Sequence, residues 1–342
     1  MTLHRELLTI DTHIDIPFPD GPNFFEDTRR RVDLPKMKRG GMAAGCFAAY
    51  VAQGLRTPEA NWAAYGKAIA MLTAINAMGS TNQGARVCTT ADEIVQAHAD
   101  GVTIVVPCVE NGHAMGGELS NLAAFRALGA RYMTITHFGH NALADSSNPR
   151  ADLADPVQEH GGLSELGRAA VGEMNRLGML VDVAHTSKNT MMQAALLSRT
   201  PVLSTHSNVR ALCDNARNMD DEQLDMLRAV GGVIQITAVP GFLRTGKKAD
   251  EVTVADYCDH VDYAVRRIGI EHVGLSSDFD GGGGFSGWRD AGETANLTVE
   301  LVARGYGRHE IAALWGGNFM RLLRMAEQRA EQHVSTAVLA AV

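Results

Sequence analysis

Short apolar runs rich in β-branched residues recur along the chain, and between them the apolar positions fall at helical spacing. The runs predict strands near Leu7–Ile16, Met42–Val51, Val102–Glu110, Tyr132–His137, Met179–His185, Pro201–His206, Gly232–Ala238 and His272–Asp278, eight in all. Most are nearly continuous apolar stretches, as expected of parallel strands covered on both faces. The segments between them carry helix signals. Thr90 and Glu93 form a capping-box pattern before Ile94 and Val95. Ser164 can cap a helix that carries Leu166, Ala170, Met174 and Leu177 on one face, and Gly178 can end it. Asp220–Val230, Val254–Ile268 and His309–Ala330 continue the alternation, with Gly316-Gly317 expected to break the last into two helices. Met78–Gly84 reads as a loop. Eight strand-then-helix units without a linker or internal repeat predict an α/β fold, a (β/α)8 TIM barrel forming one domain over residues 1–342. An open, doubly wound sheet is the alternative.

The 342 residues suit one barrel with decorated loops. With 45% hydrophobic and 20% charged residues, a large core is available and disorder is not expected. The net charge of −8 comes with no basic stripe, which argues against nucleic acid as a partner. Five scattered cysteines with no CxxC pair point to free thiols in a reducing compartment. Residues 1–13 lack a basic stretch followed by a long apolar one, so no signal peptide is expected. No run approaches the roughly 18 apolar residues of a membrane span. A cytoplasmic location without a membrane partner follows as an expectation. The apolar tail Val334–Val342 is expected to pack on the barrel or at a subunit contact, which leaves a homodimer open.

Acids and imidazoles gather at the C-terminal ends of the expected strands. The first ends in His13-Ile14-Asp15, the third in Glu110, the fourth in His137, the fifth in His185, the sixth in His206 and the eighth in Asp278. In a barrel these ends share one mouth, where active sites are built. Residues two apart on a strand point the same way, so His13 and Asp15 can grip one ion together. Imidazole and carboxylate suit Zn²⁺, and also Mn²⁺ or Co²⁺. One strand-end histidine is more often a loop hydrogen-bonder, but packing alone does not gather this many buried ionisable groups. His4, His98, His140, His160, His260, His272 and His309 fall on helices, loops or strand starts and read as structural or solvated, with His113 a borderline case. Gly281–Gly284 lacks the Lys-Ser/Thr of a phosphate loop and reads as a mobile flap. No GxSxG elbow occurs, which leaves a serine hydrolase unsupported. Cys108 reads as a core thiol.

Several motifs together resemble the membrane (renal) dipeptidase family and its bacterial homologues within the amidohydrolase superfamily. They are Asp11-Thr12-His13-Ile14-Asp15-Ile16-Pro17, Val109-Glu110-Asn111-Gly112 and Tyr132-Met133-Thr134-Ile135-Thr136-His137. Asn141, Ala144-Asp145-Ser146-Ser147-Asn148, Gly162-Leu163-Ser164 and Val181-Asp182-Val183-Ala184-His185-Thr186-Ser187 follow. Ser204-Thr205-His206-Ser207, Arg217-Asn218, Ser277-Asp278-Phe279-Asp280-Gly281 and Gly316-Gly317-Asn318 complete the set, from about Asp11 to Leu323.

The resemblance implies a dipeptidase with two divalent metal ions, Zn²⁺ in the first instance. His13, Asp15 and a bridging Glu110 would hold one ion, and Glu110, His185 and His206 the other. Better known amidohydrolases bridge their ions with a carbamylated lysine on the fourth strand; here that strand has no lysine, and Glu110 is the available bridge. A hydroxide between the metals would be the nucleophile. Asp278 would handle protons and help hold the substrate amine, and His137 would steady the oxyanion. Arg217, eleven residues after His206, would hold the carboxylate of a small dipeptide, L-Xaa-L-Xaa or L-Xaa-D-Xaa.

The chain departs from the family pattern in three places. Thr12 and Ile14 replace the frequent Gly and Asn, and Thr237-Ala238-Val239-Pro240 lacks the tyrosine that many members place after the seventh strand. N-acyl amino acids or other small amides are the alternative substrates. A barrel that has lost catalysis would need a missing ligand, and none is missing.

Overall fold

A computed structural model of the chain describes residues 2–340, with side chains described up to residue 332. Nine strands form one sheet: β1 (Ile10–Asp15), β2 (Ala44–Tyr50), β3 (Ala85–Val87), β4 (Thr103–Glu110), β5 (Tyr132–Thr134), β6 (Leu180–Asp182), β7 (Leu203–Ser207), β8 (Val233–Ile236) and β9 (Val273–Leu275). Eight of them run parallel around the barrel in the order β1-β2-β4-β5-β6-β7-β8-β9. This order is that of a (β/α)8 barrel and removes the doubly wound alternative. The short β3 was not expected; it adds to β4 off the barrel path.

The barrel closes through backbone beyond β9. Asp278 N–H donates to the His13 carbonyl at 3.1 Å, and Asp15 N–H donates to the Phe279 carbonyl at 2.9 Å. The seam therefore lies where three of the expected site residues stand. Along β4 side chains alternate. Ile104, Val106 and Cys108 belong to a buried cluster with Ile10, Cys46, Leu180, Leu203 and Val233 of other strands, and Glu110 ends the same row. Cys108 is thus a core thiol as expected, and all five cysteines are free and buried. Phe319, Leu322 and Leu323 of the last helix join this cluster.

The local helix signals work as expected. Thr90 and Glu93 form a reciprocal capping box. Ser164 accepts from Gly167 N–H, and Gly178 ends that helix at φ 68°. Gly316-Gly317 does not break the last helical segment in two. The pair lies in a π-helical stretch, Ala313–Gly317, that joins Arg308–Ala312 to Asn318–Ala340. A Cβ on Gly316 would stand 2.5 Å from the Leu8 carbonyl oxygen, so close packing on the barrel explains that glycine better than helix ending does. Among the described residues no helix is long and apolar enough to cross a membrane. The packing expected of Val334–Val342 lies outside the described side chains.

Candidate metal centre

The inward row of β4 delivers Glu110 to the C-terminal mouth, buried to 2% exposure. A lone carboxylate there would be costly, and imidazoles compensate it. Its two oxygens face different partners. Oε2 is 3.4 Å from His13 Nε2. Oε1 is 3.3 Å from His185 Nε2, 3.5 Å from His206 Nε2 and 3.8 Å from His137 Nε2. Asp15 Oδ1 lies 3.8 Å and Asp278 Oδ1 4.0 Å from His13 Nε2. The seven acids and imidazoles expected from strand ends therefore meet in one cluster.

How they get there differs from the expectation in one respect. His137, His185 and Asp278 lie three residues beyond the ends of β5, β6 and β9, on loops. His185 and Asp278 adopt left-handed backbone, φ 63° and 59°. Such conformations are unfavourable for these residues and need surrounding support. The Ala144–Asn148 motif supplies it for His185. Ser147 N–H donates to the His185 carbonyl at 2.8 Å, and the Ser146 hydroxyl reaches the carbonyls of both His137 and His185. Asp278 is held by the glycine run that follows, since the N–H groups of Gly281, Gly282 and Gly283 converge on its carbonyl at 3.2, 3.0 and 2.7 Å. Gly281–Gly284 is thus a tight turn packed on Asp278, not the free flap expected. A Cβ on Gly281 would come within 2.5 Å of both Asp15 Oδ2 and Asp278 Oδ1, so glycine is what lets the two carboxylates approach.

Electrostatics separate the members. Burial is the largest influence on His13, yet the Glu110, Asp15 and Asp278 carboxylates overcome it and raise the imidazole to about 10. Burial, helped by Arg217 and His137, holds His185 well below the usual range. Burial with the neighbouring imidazoles does the same for His206. Burial, opposed by Glu110, lowers His137 to about 4. Asp278 is pushed up to about 7 by burial, against the pull of His13 and with the push of Glu110.

The donor set fits divalent cations. His13 Nε2 and Asp15 Oδ1 are buried without a hydrogen-bond partner. The Nε2 atoms of His185 and His206 face each other at 2.8 Å, both held toward the neutral form. Neutral nitrogens aimed at one point beside a carboxylate are a cation's ligands. Three overlapping triplets have ligand atoms within 4.8 Å of one another: His13, Asp15, Glu110; Glu110, His137, His185; and His13, His206, Asp278.

A cleft of about 260 Å³ opens over the cluster, with Tyr50, Phe138, Val239 and Phe242 among its walls. Tyr50 was not anticipated. It ends β2 directly opposite Glu110 in register, and its hydroxyl lies 3.4 Å from His137 Nδ1. Arg217, expected to hold the substrate carboxylate, is not among the residues that line this cleft. It is buried beside the cleft, its guanidinium 5.5 Å from the Phe242 ring centre. There it donates to the His206 carbonyl at 2.9 Å and to Ser207 Oγ at 3.4 Å, while Nε has no partner. His113 stays out of the cluster. The buried His4, His140 and His260 bond to backbone, as structural histidines do.

A (β/α)8 barrel with imidazoles and carboxylates converging at its C-terminal mouth defines a metal-dependent hydrolase of amidohydrolase-like architecture. The chain belongs to the membrane dipeptidase family, peptidase family M19, whose model matches residues 1–336. It is 33% identical to dipeptidase aclJ of Aspergillus oryzae over 317 residues, 90% of this chain and 73% of that protein. Its fold is similar to that of the probable dipeptidase PvdM from Pseudomonas aeruginosa, with a TM-score of 0.87 and 29% identity over 96% of this chain and 98% of that one. It is also similar to a metallopeptidase from Rhodobacter sphaeroides liganded with a phosphinate mimic of the dipeptide L-Ala-D-Ala, with a TM-score of 0.78 and 28% identity over 94% and 99% of the two chains. The chain is a metallo-dipeptidase.

Proposed function

We propose that the enzyme is binuclear and cleaves small dipeptides, L-Xaa-L-Xaa and L-Xaa-D-Xaa. The observation that carries this is the division of the Glu110 carboxylate, with Oε2 toward His13 and Oε1 toward His185 and His206. His13, Asp15 and Glu110 would hold one ion, and Glu110, His185 and His206 the other. The ligand types suit Zn²⁺. When bound, the ions supply Lewis acidity and an attacking water of lowered pKa.

The protein's own residues do the rest. Asp278, with its carboxyl near neutrality, takes up and hands on a proton close to working pH. As an anion it also meets the substrate ammonium. The neutral His137 has Nδ1 3.4 Å from the Tyr50 hydroxyl, and in the tautomer that accepts there Nε2–H would donate where charge develops on the carbonyl oxygen. Arg217 reads the substrate carboxylate with the donors that the backbone leaves free. A cleft of about 260 Å³ accommodates two small residues, and Val239 and Phe242 offer an apolar wall. Similarity to the Rhodobacter sphaeroides enzyme, with its L-Ala-D-Ala mimic, supports acceptance of a D residue at the C-terminal position.

The test is metal analysis alongside a library of L-Xaa-L-Xaa and L-Xaa-D-Xaa dipeptides. Two ions per chain and turnover of dipeptides with free termini are expected. Glu110→Gln should lose at least one ion and nearly all activity. Full occupancy and normal turnover in that variant would remove the bridge.

A further inference from the structure

The barrel interior immediately beneath the cluster is polar, which a core does not tolerate unless every group is satisfied. Tyr132, Asp182 and Thr205 are fully buried there. Asp182 receives four donors: Ala184 N–H at 3.0 Å, Thr205 N–H at 3.0 Å, and the hydroxyls of Thr205 at 2.7 Å and of Thr134. As a carboxylate Asp182 only accepts, and the single hydroxyl proton of Thr205 is then committed to it. Thr205 Oγ1 also lies 2.8 Å from His206 Nδ1, and only at the 3.5 Å edge of a hydrogen bond from His13 Nδ1. With its own proton spent, it can only accept there, so Nδ1 carries the hydrogen.

On the other side, Tyr132 Oη is 2.9 Å from the Thr12 carbonyl, which has no proton to give. Tyr132 therefore donates to Thr12 and accepts from His13 Nδ1 at 3.0 Å. In both imidazoles the hydrogen on Nδ1 is held from below, so Nε2, turned to the centre, is the nitrogen that would be bare when an ion binds. The third imidazole has no such backing, since His185 Nδ1 is buried without a partner.

We propose that Tyr132 and the Asp182–Thr205 pair are positioning residues, each fixing the tautomer and ring orientation of one ligand imidazole, one relay per metal ion. The inference rests on the two-ion reading above. Tyr132 backs His13 of the first ion, and Asp182–Thr205 backs His206 of the second. Outer-shell partners of this kind change metal affinity by roughly 10–100-fold.

The experiment is equilibrium Zn²⁺ binding to the full chain, stripped of metal and titrated against a competing chelator, with thermal melting as a check on folding. Wild type should bind two ions. Tyr132→Phe should weaken one of them roughly 10–100-fold and leave the other unchanged. Thr205→Val should weaken the other ion by a similar factor, and Thr205→Ser, which keeps the hydroxyl, should restore it. If Thr205→Val does not fold, Tyr132→Phe and Thr205→Ser still carry the test. Unchanged affinities in a folded Tyr132→Phe chain that binds two ions would overturn the relays alone. So would equal weakening of both ions by each variant, the mark of a merely structural role. A wild type that binds a single ion would overturn the two-ion reading and the one-per-ion pairing with it.

Discussion

Replacing Arg217 by methionine separates two jobs that its position combines. The guanidinium has five N–H donors. One is firmly used on the His206 carbonyl at 2.9 Å, and a second reaches Ser207 Oγ at 3.4 Å, the edge of a hydrogen bond. Nε has no partner, and it and the unused N–H groups are the donors we propose for a substrate carboxylate. A charge-assisted hydrogen bond is worth roughly 1.5–3 kcal/mol. Two such bonds to a carboxylate remote from the scissile amide predict a loss in kcat/KM on the order of 10² or more, at about tenfold per 1.4 kcal/mol. Methionine keeps an apolar stem against Phe242 and deletes every donor. It also frees the His206 carbonyl, and this second effect bears on the ligand rather than on the substrate.

The assay is a cycle of two enzymes and two substrates: a dipeptide with a free C-terminus and the same dipeptide C-terminally amidated. The amide offers no charge to the arginine. It should be poor for the wild type and change little further in Arg217→Met. Any loss common to both substrates measures the prop under His206; the excess on the free acid measures carboxylate reading. Equal losses would mean that Arg217 only supports the metal ligand, and the argument for a zwitterionic substrate would fall.

Asp278→Asn should keep its metals while kcat falls by a factor on the order of 10²–10⁴, the usual cost of a lost acid or base. Metal loss in proportion to activity would make Asp278 a ligand, as its grouping with His13 and His206 allows. A stability prediction concerns His260, which accepts Val209 N–H through Nδ1 at 3.1 Å and meets the Leu243 carbonyl at 3.0 Å. Burial, only partly opposed by that carbonyl, lowers its pKa from 6.5 to about 4. The unfolded chain therefore takes up this proton first, so stability is intact above pH 6.5 and falls as pH drops toward 4. The loss reaches about 3 kcal/mol at most. Urea unfolding across that range should show a steeper decline for wild type than for His260→Gln, and parallel declines would refute the assignment.

The fold was legible because its signals are local and repeated. Continuous apolar runs mark strands buried on both faces, and cap residues such as Thr90 and Ser164 fix helix starts by bonds within one turn. Strand ends were not legible in the same way. Tyr132–His137 was read as one strand, but the ladder stops at Thr134; Met179–His185 stops at Asp182 and His272–Asp278 at Leu275. Apolar or β-branched residues continue past the first two stops, with Ile135, Thr136 and Val183, and the buried Ser276 and Ser277 follow the third, because the chain is still buried. Periodicity reports burial, and it does not report whether a backbone N–H is paired to a neighbouring strand. β3 escaped for the opposite reason, since its three residues are too few to show any alternation.

The site shows the same division. Acids and imidazoles at strand ends announce themselves, because an ion-binding centre needs several of them at one mouth and ordinary packing has no use for them there. Tyr50, Tyr132 and Thr205 look like ordinary strand residues. Their importance comes from register and depth: Tyr50 stands opposite Glu110, and Tyr132 and Thr205 lie one layer beneath the ligands they touch. Arg217 is the instructive intermediate. Its distance of eleven residues from His206 brought it to the right neighbourhood. Distance along a loop, however, does not decide whether a long side chain ends in the cleft or folds back on the strand it came from. Here it folds back to the His206 carbonyl, where the backbone acceptor is close and dry. A cation beside a ligand's own carbonyl also helps keep His185 and His206 neutral, since its charge opposes their protonation. The arginine thus acts on the metal centre before any substrate arrives, which is why its role in substrate binding has to be measured as a difference between two substrates.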